Sequence, residues 1–195
     1  MPRFSENEKK RLSEKLLTEG ERLFTKHGIK KVTIDDIVEA VGIAKASFYT
    51  FYESKEYLYL DIVQNIQQKI FAELNTRLDS NTALSNKERV LQVFDWMNTL
   101  MYQYPILTHM DTVTTELIAR KVSTERLLLF QEQNYDAALV LYNHGVRFSC
   151  DIKTVSHTFQ AIYHSWMYLH AQGEEVQAAV TGLLLQGVVS QIVTN

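Results

Sequence analysis

The chain has 195 residues, 46% of them hydrophobic, and carries 20 Lys/Arg against 23 Asp/Glu for a net charge of −3. That apolar content is enough for one large or two small cores and excludes a disordered or fibrous chain. The longest apolar runs are only a few residues, MPRFSENEKKRL carries no apolar signal segment, and the lone Cys150 makes no internal disulfide, so a cytoplasmic protein without a membrane span is expected.

Only Pro2 and Pro105 are prolines, and apolar residues recur mainly at helical spacing, which predicts an all-α fold of about nine helices. The charge divides unevenly. Residues 1–57 hold eleven Lys/Arg against ten Asp/Glu, and the remainder holds nine against thirteen. Phosphate attraction depends on cations gathered on one face, and Lys9, Lys10, Arg11, Lys45 and Lys55 are candidates for such a patch.

A first helix is predicted from about Ser5 to His27, with Leu12, Leu16, Leu23 and Phe24 as its buried stripe and Gly28 as its end. After the link 29–32, Thr33 N-caps a short second helix with Asp36 three residues on, and Ile34, Ile37, Val38 and Val41 fall on one face. Gly42 permits a sharp turn through positive φ, and a third helix restarts near Ala44. Phe48 and Phe51 anchor that helix inward. Lys45, Ala46, Ser47, Tyr49 and Thr50 face outward and offer a cation, hydroxyls and a phenol for phosphates or base edges, with one small side chain for close approach. The pattern is the one expected of a helix-turn-helix that reads duplex DNA.

A long fourth helix is expected from Glu53-Ser54-Lys55 to about Leu78, a polar loop over 79–86, and a fifth helix from about Lys87 to Tyr104. Pro105 starts a short sixth helix. A seventh is predicted from about Thr124 to His144, with Leu127, Phe130 and Leu141 beside Leu128, Tyr135, Ala138 and Tyr142, and Gly145 after it. In the eighth, about Ile152 to Ala171, Val155, Phe159, Ile162, Trp166 and Leu169 alternate four- and three-residue steps as a packing seam. The ninth, Val176 to Ile192, is apolar on more than one face and carries Ala178, Ala179, Gly182 and Gly187, so one face serves its own core and another a partner. A homodimer through the eighth and ninth helices follows.

From about Leu16 to Leu60 the chain resembles the DNA-binding domain of the tetracycline-repressor (TetR) family of bacterial transcription regulators. The resemblance rests on Leu23-Phe24 and Gly28 in the first helix, Thr33 with Ile37 in the second, Gly42 in the turn, Phe48-Tyr49 in the third and Ser54-Lys55-Glu56 opening the fourth. Two residues depart from the pattern. Ala44 stands where a capping Ser is frequent, forfeiting a cap worth about 1 kcal/mol. Gly20 stands where Ala is usual, at about 1 kcal/mol of helix propensity, and allows a neighbouring helix to come close.

The resemblance implies a DNA-binding domain over 1–54 and a helical ligand-binding and dimerisation domain over 55–195. It implies a repressor released from a palindromic double-stranded operator by a small-molecule effector, expected to be mainly apolar. By family position Ala46 approaches bases, Thr33, Ser47, Tyr49 and Lys55 hold phosphates, and Thr50 serves either role; Lys45 is the direct reader. For the effector, Trp96, Met97, Met101, Tyr104 and Tyr135 are candidate walls and Gln131 or Asn134 a directional hydrogen bond, although aromatic and Met stripes serve a plain core equally well. His157 and His164 share a helix face with Tyr168, but no acid or Cys lies at the neighbouring ligand spacings, so neither a metal nor a cofactor is expected. A small-molecule enzyme would need a nucleophile, an acid–base pair or a metal motif, and none is found. A dimerising adaptor is distinguished from the regulator by duplex binding.

Overall fold

Local chemistry sets the helix boundaries in the computed structural model, which describes residues 4–80, 83–110, 112–132, 136–170 and 172–194. Ser5 and Glu8 form a capping box that opens α1, Glu6–Lys31, and Gly28 breaks that helix near its end with φ 73° and ψ 154°. Thr33 and Asp36 form the capping box of α2, Ile34–Val41, and Gly42 closes it at φ 78°. A single turn, α3, Lys45–Phe48, follows Ala44, whose side chain makes no cap. Then come α4, Lys55–Ser80, and α5, Asn86–Gln103. Pro105 opens a 3-10 turn over Pro105–His109. The rest is α6, Thr112–Lys121; α7, Thr124–Glu132; α8, Ala137–Asn143; α9, Ile152–His170; and α10, Glu174–Ile192.

The all-α expectation holds, with two differences in detail. The long seventh helix is two, because Asp136 adopts extended backbone and its carboxylate accepts from the N–H groups of Ala138 and Leu139, restarting the helix. The helix α6 was not expected. Its buried residues are Thr114 and Ile118, continued by Val122 just after it, and a threonine in an apolar position hides the period. No described helix is long and apolar enough to cross a membrane.

The chain forms two compact units, Met1–Gln68 with Tyr104–Asn134, and Lys69–Gln103 with Tyr135–Asn195; α4 runs through both. In the first, Leu16, Phe24 and Ile29 of α1, Ile37 and Val41 of α2, Phe48 of α3 and Leu58, Tyr59, Ile62 and Ile66 of α4 are almost wholly buried. Gly20 sits where α1 crosses α4: a Cβ there would stand 3.0 Å from both Ile62 Cδ1 and Leu58 Cδ2. The second unit is cored by Leu74, Leu78, Val90, Val93, Phe94, Leu141, Val155, Phe159, Ile162, Leu185 and Val189, with Phe94 edge-on to Phe159 at 4.9 Å.

Candidate nucleic-acid interface

The reading head is assembled from its caps outward. Asp36 accepts from the Thr33 N–H at 2.8 Å and from the Thr33 hydroxyl at 2.7 Å, while Thr33 Oγ1 accepts from the Asp36 N–H at 3.2 Å. The two Thr33 bonds, the hydroxyl first, hold the Asp36 carboxyl below its ordinary value. Thr33 is exposed at the start of α2, but its hydroxyl proton is engaged in the cap. The turn at Gly42 is closed by its N–H on Val38 O at 2.8 Å and by Ile43 N–H on the same oxygen at 3.0 Å.

The short α3 is pinned by Phe48, which is fully buried and packs edge-on to Tyr49 and tilted against Tyr52. Phe51 is half-buried, its ring centroid 6.3 Å from that of Phe4 just before α1. Lys45, Ala46, Tyr49 and Thr50 are exposed and Ser47 is half-buried, so the outward set shares one exposed face. The Thr50 hydroxyl donates to Ser47 O at 2.6 Å, and Lys45 pairs with Asp35 of α2 at 2.9 Å, a bond that raises the lysine above its ordinary value. Ala46, Ser47 and Thr50 line a broad groove with Lys9, Lys10 and Ser13 of α1, a volume of about 830 Å³. Lys9 and Lys10 of the expected cationic patch therefore stand beside the reading surface.

Lys55 is placed differently from a simple phosphate contact. Its ammonium donates to Ile29 O at 2.7 Å and Val32 O at 2.6 Å, so two of its three protons bind the corner between α1 and α2. Lys15 does the same for the end of α2, donating to Val41 O at 2.6 Å. Cations at helix C-termini satisfy carbonyls that have no intrahelical partner and complement the helix dipole. The Lys15 contact spans 26 residues and carries no local sequence signal.

Of the candidate effector residues, Trp96 is half-buried with the Arg77 guanidinium 4.8 Å from its ring centroid. Met97 packs against the core of the second unit, and Met101 is buried. Tyr104 is half-buried and precedes Pro105 in the first unit. The Gln131 side chain, Asn134 and Tyr135 lie outside the described residues. His157 and His164 are exposed, and among the described residues no group of three His, Cys, Asp or Glu is placed to hold a metal.

A capped α2, a glycine turn and a short exposed α3 braced by α1 and α4 define a helix-turn-helix transcriptional regulator. Residues 16–62 match the model of the bacterial regulatory proteins of the tetR family. The HTH-type transcriptional regulator QacR of Staphylococcus aureus is 25% identical over 134 residues, covering 69% of this chain and 70% of QacR. A TetR-family transcriptional regulator from Agrobacterium tumefaciens superposes with a TM-score of 0.65 at 18% identity, over 91% of this chain and 97% of that one. The fatty acid degradation regulator FadR from Bacillus halodurans gives 0.63 at 16% identity, over 90% and 97%. Residues 16–62 thus match the tetR-family DNA-binding region, and the chain is similar to TetR-family regulators beyond it.

Proposed function

We propose that the protein is a homodimeric repressor that leaves a palindromic operator when a small, mainly apolar effector binds. The observation that carries the reading is the exposed row of Lys45 and Ala46 on α3 with Tyr49 and Thr50 just after it, braced from beneath by the buried Phe48. Exposed polar groups on a rigid base are what groove reading requires. Lys45 reads base edges, Ala46 permits close approach, Ser47 and Tyr49 hold phosphates, and Thr50 serves either. Thr33 joins the phosphate contacts by turning its hydroxyl away from Asp36. Lys55 positions the α1–α2 corner through the Ile29 and Val32 carbonyls. The reading head is assigned to 1–54, and effector binding and dimerisation to 55–195.

Dimerisation is assigned to α9 and α10. Tyr168 and Leu183 are each 72% exposed, and Val176 and Leu184 add to an apolar face that few monomers leave open. Gly182 and Gly187 have nothing within 4 Å of a built Cβ, so a second backbone has room to approach. Trp96, Met97 and Met101 are the assigned apolar walls for the effector. A coupling of about 1–3 kcal/mol suffices to change operator affinity roughly five- to 150-fold, and operator must weaken effector by the same factor.

Footprinting on the DNA upstream of the chain's own gene tests the reading. The expected result is protection of a dyad-symmetric site, relieved by a ligand found in a thermal-shift screen. Absence of sequence-specific protection would favour the adaptor.

A further inference from the structure

We infer that the second unit holds a binding site for a small oxyanion group, the carboxylate of an organic acid or a phosphate, between the end of α4 and α5. Arg89 of α5 is only 9% exposed, yet its Nε has no hydrogen-bond partner among the described residues. Its Nη1 donates to His144 O at 2.8 Å. A buried guanidinium is costly without an opposing charge, and no carboxylate among the described residues pairs with it. Two acids of α4 are engaged elsewhere: Glu73 accepts from Nε and Nη2 of Arg77, and Asp79 lies 3.2 Å from His144 Nε2.

Arg89 also lines a cavity of about 30 Å³ with Arg77, Gln92, Trp96, Leu78 and Val93. At about 10–15 Å³ per water-sized centre, that is room for about two oxygens, the size of a carboxylate or one edge of a phosphate. Two guanidiniums against the single Glu73 leave the wall cationic, and planar forks of N–H donors suit oxyanions. Leu78, Val93 and Trp96 give the cavity an apolar side, and the body of an organic acid would lie outside the space that its carboxylate fills. The assignment adds a charged end to the proposed effector, and its regulatory meaning rests on that reading. The binding itself does not.

The test is a titration of the DNA-free protein followed by the Arg89 Nε–H and Trp96 indole N–H resonances. Sodium acetate and inorganic phosphate are each added against sodium chloride at constant ionic strength, with acetamide as the neutral isostere. Saturable movement of both resonances with acetate or phosphate, and none with acetamide, is expected. The tighter of the two anions identifies the source. Arg77→Gln, at a half-exposed position, should weaken the anion about tenfold. Arg89→Lys keeps the charge, removes the Nε donor and should abolish saturation; should it fail to fold, Arg77→Gln still decides. Movement no greater than in chloride, or equal binding by Arg77→Gln, would overturn the site. Because no operator is present, that failure leaves the repressor reading standing, and failed footprinting leaves the anion site standing.

Discussion

The Lys45 ammonium lies 2.9 Å from the Asp35 carboxylate, so the cation heading the reading helix is held by the first turn of the helix before it. Both side chains are well exposed, and the pair opens readily when a phosphate or base edge competes. Asp35 thus sets a threshold that any duplex must exceed. Asp35→Asn is expected to raise affinity for operator and random duplex alike by about two- to fivefold. Lys45→Ala should weaken both, flatten the preference between them and lower the salt slope by about one. Fluorescence-anisotropy competition at several salt concentrations measures each quantity, and unchanged preference in Lys45→Ala would remove it as the reader.

Lys55 offers a sharper distinction between holding DNA and holding the protein. A lysine spent on phosphate lowers the salt slope when removed; a lysine spent on carbonyls lowers stability. Ile29 and Val32 are buried, and their stranded carbonyls should cost about 2 kcal/mol in Lys55→Ala. Denaturant unfolding checks that figure. The salt slope of operator binding should stay near wild type, and a fall of a full unit with unchanged stability would return Lys55 to the phosphates.

These two lysines also mark where sequence reading succeeds and where it stops. The Thr33–Asp36 box, the Gly42 turn, the inward Phe48 and the uncapped Ala44 were legible because each is decided within four residues. The Lys55 bonds reach 26 and 23 residues back, and nothing local announces them. The restart at Asp136 is hidden for a related reason: apolar rows continue across it in the sequence, while the carboxylate that caps α8 is also met by Ser156, twenty residues on.

The cap of α2 carries a pH signature. Asp36 is held below its ordinary value of 3.8 by Thr33, so its contribution is fully present above that value and is lost as pH falls through the depressed folded value. Thr33→Ala removes the hydroxyl and should bring Asp36 back toward 3.8, visible in a carboxyl-carbon NMR titration. The variant should therefore be less stable near neutrality, with the difference shrinking in acid. An unaltered Asp36 titration would mean that the hydroxyl is not what holds it.

Arg126 of α7 ties distant sequence to the same unit. Its Nη2 donates to Asp61 at 2.6 Å and to Gln64 at 2.8 Å on α4, and Asp61 in turn bonds the Tyr52 hydroxyl beside Phe48. Burial first, then the Asp61 charge, raises the Tyr52 phenol well above its ordinary range. Arg126→Ala leaves Asp61 half-buried without its cation and should cost about 1–2 kcal/mol. Adding Asp61→Asn should recover part of the loss. Strict additivity in that double-mutant cycle would show that the pair is not coupled.

The apolar face of α9 and α10 makes the quaternary prediction separable from folding. Leu183 is 72% exposed and Gly182 has open space around it, so a charge introduced there meets water in the monomer. In a close-packed dimer the same charge would be buried without a partner. Leu183→Glu should therefore yield a monomer in sedimentation velocity with helical content retained in circular dichroism, and Gly182→Arg should act in the same direction by bulk as well as charge. Two reading heads joined in one dimer meet half-sites one or more turns apart, about 34 Å per turn, and the second contact is then intramolecular. The monomer forfeits that gain, and operator affinity should fall by about a hundredfold or more while affinity for a single half-site changes little. A dimer that survives both substitutions would place the interface on another surface.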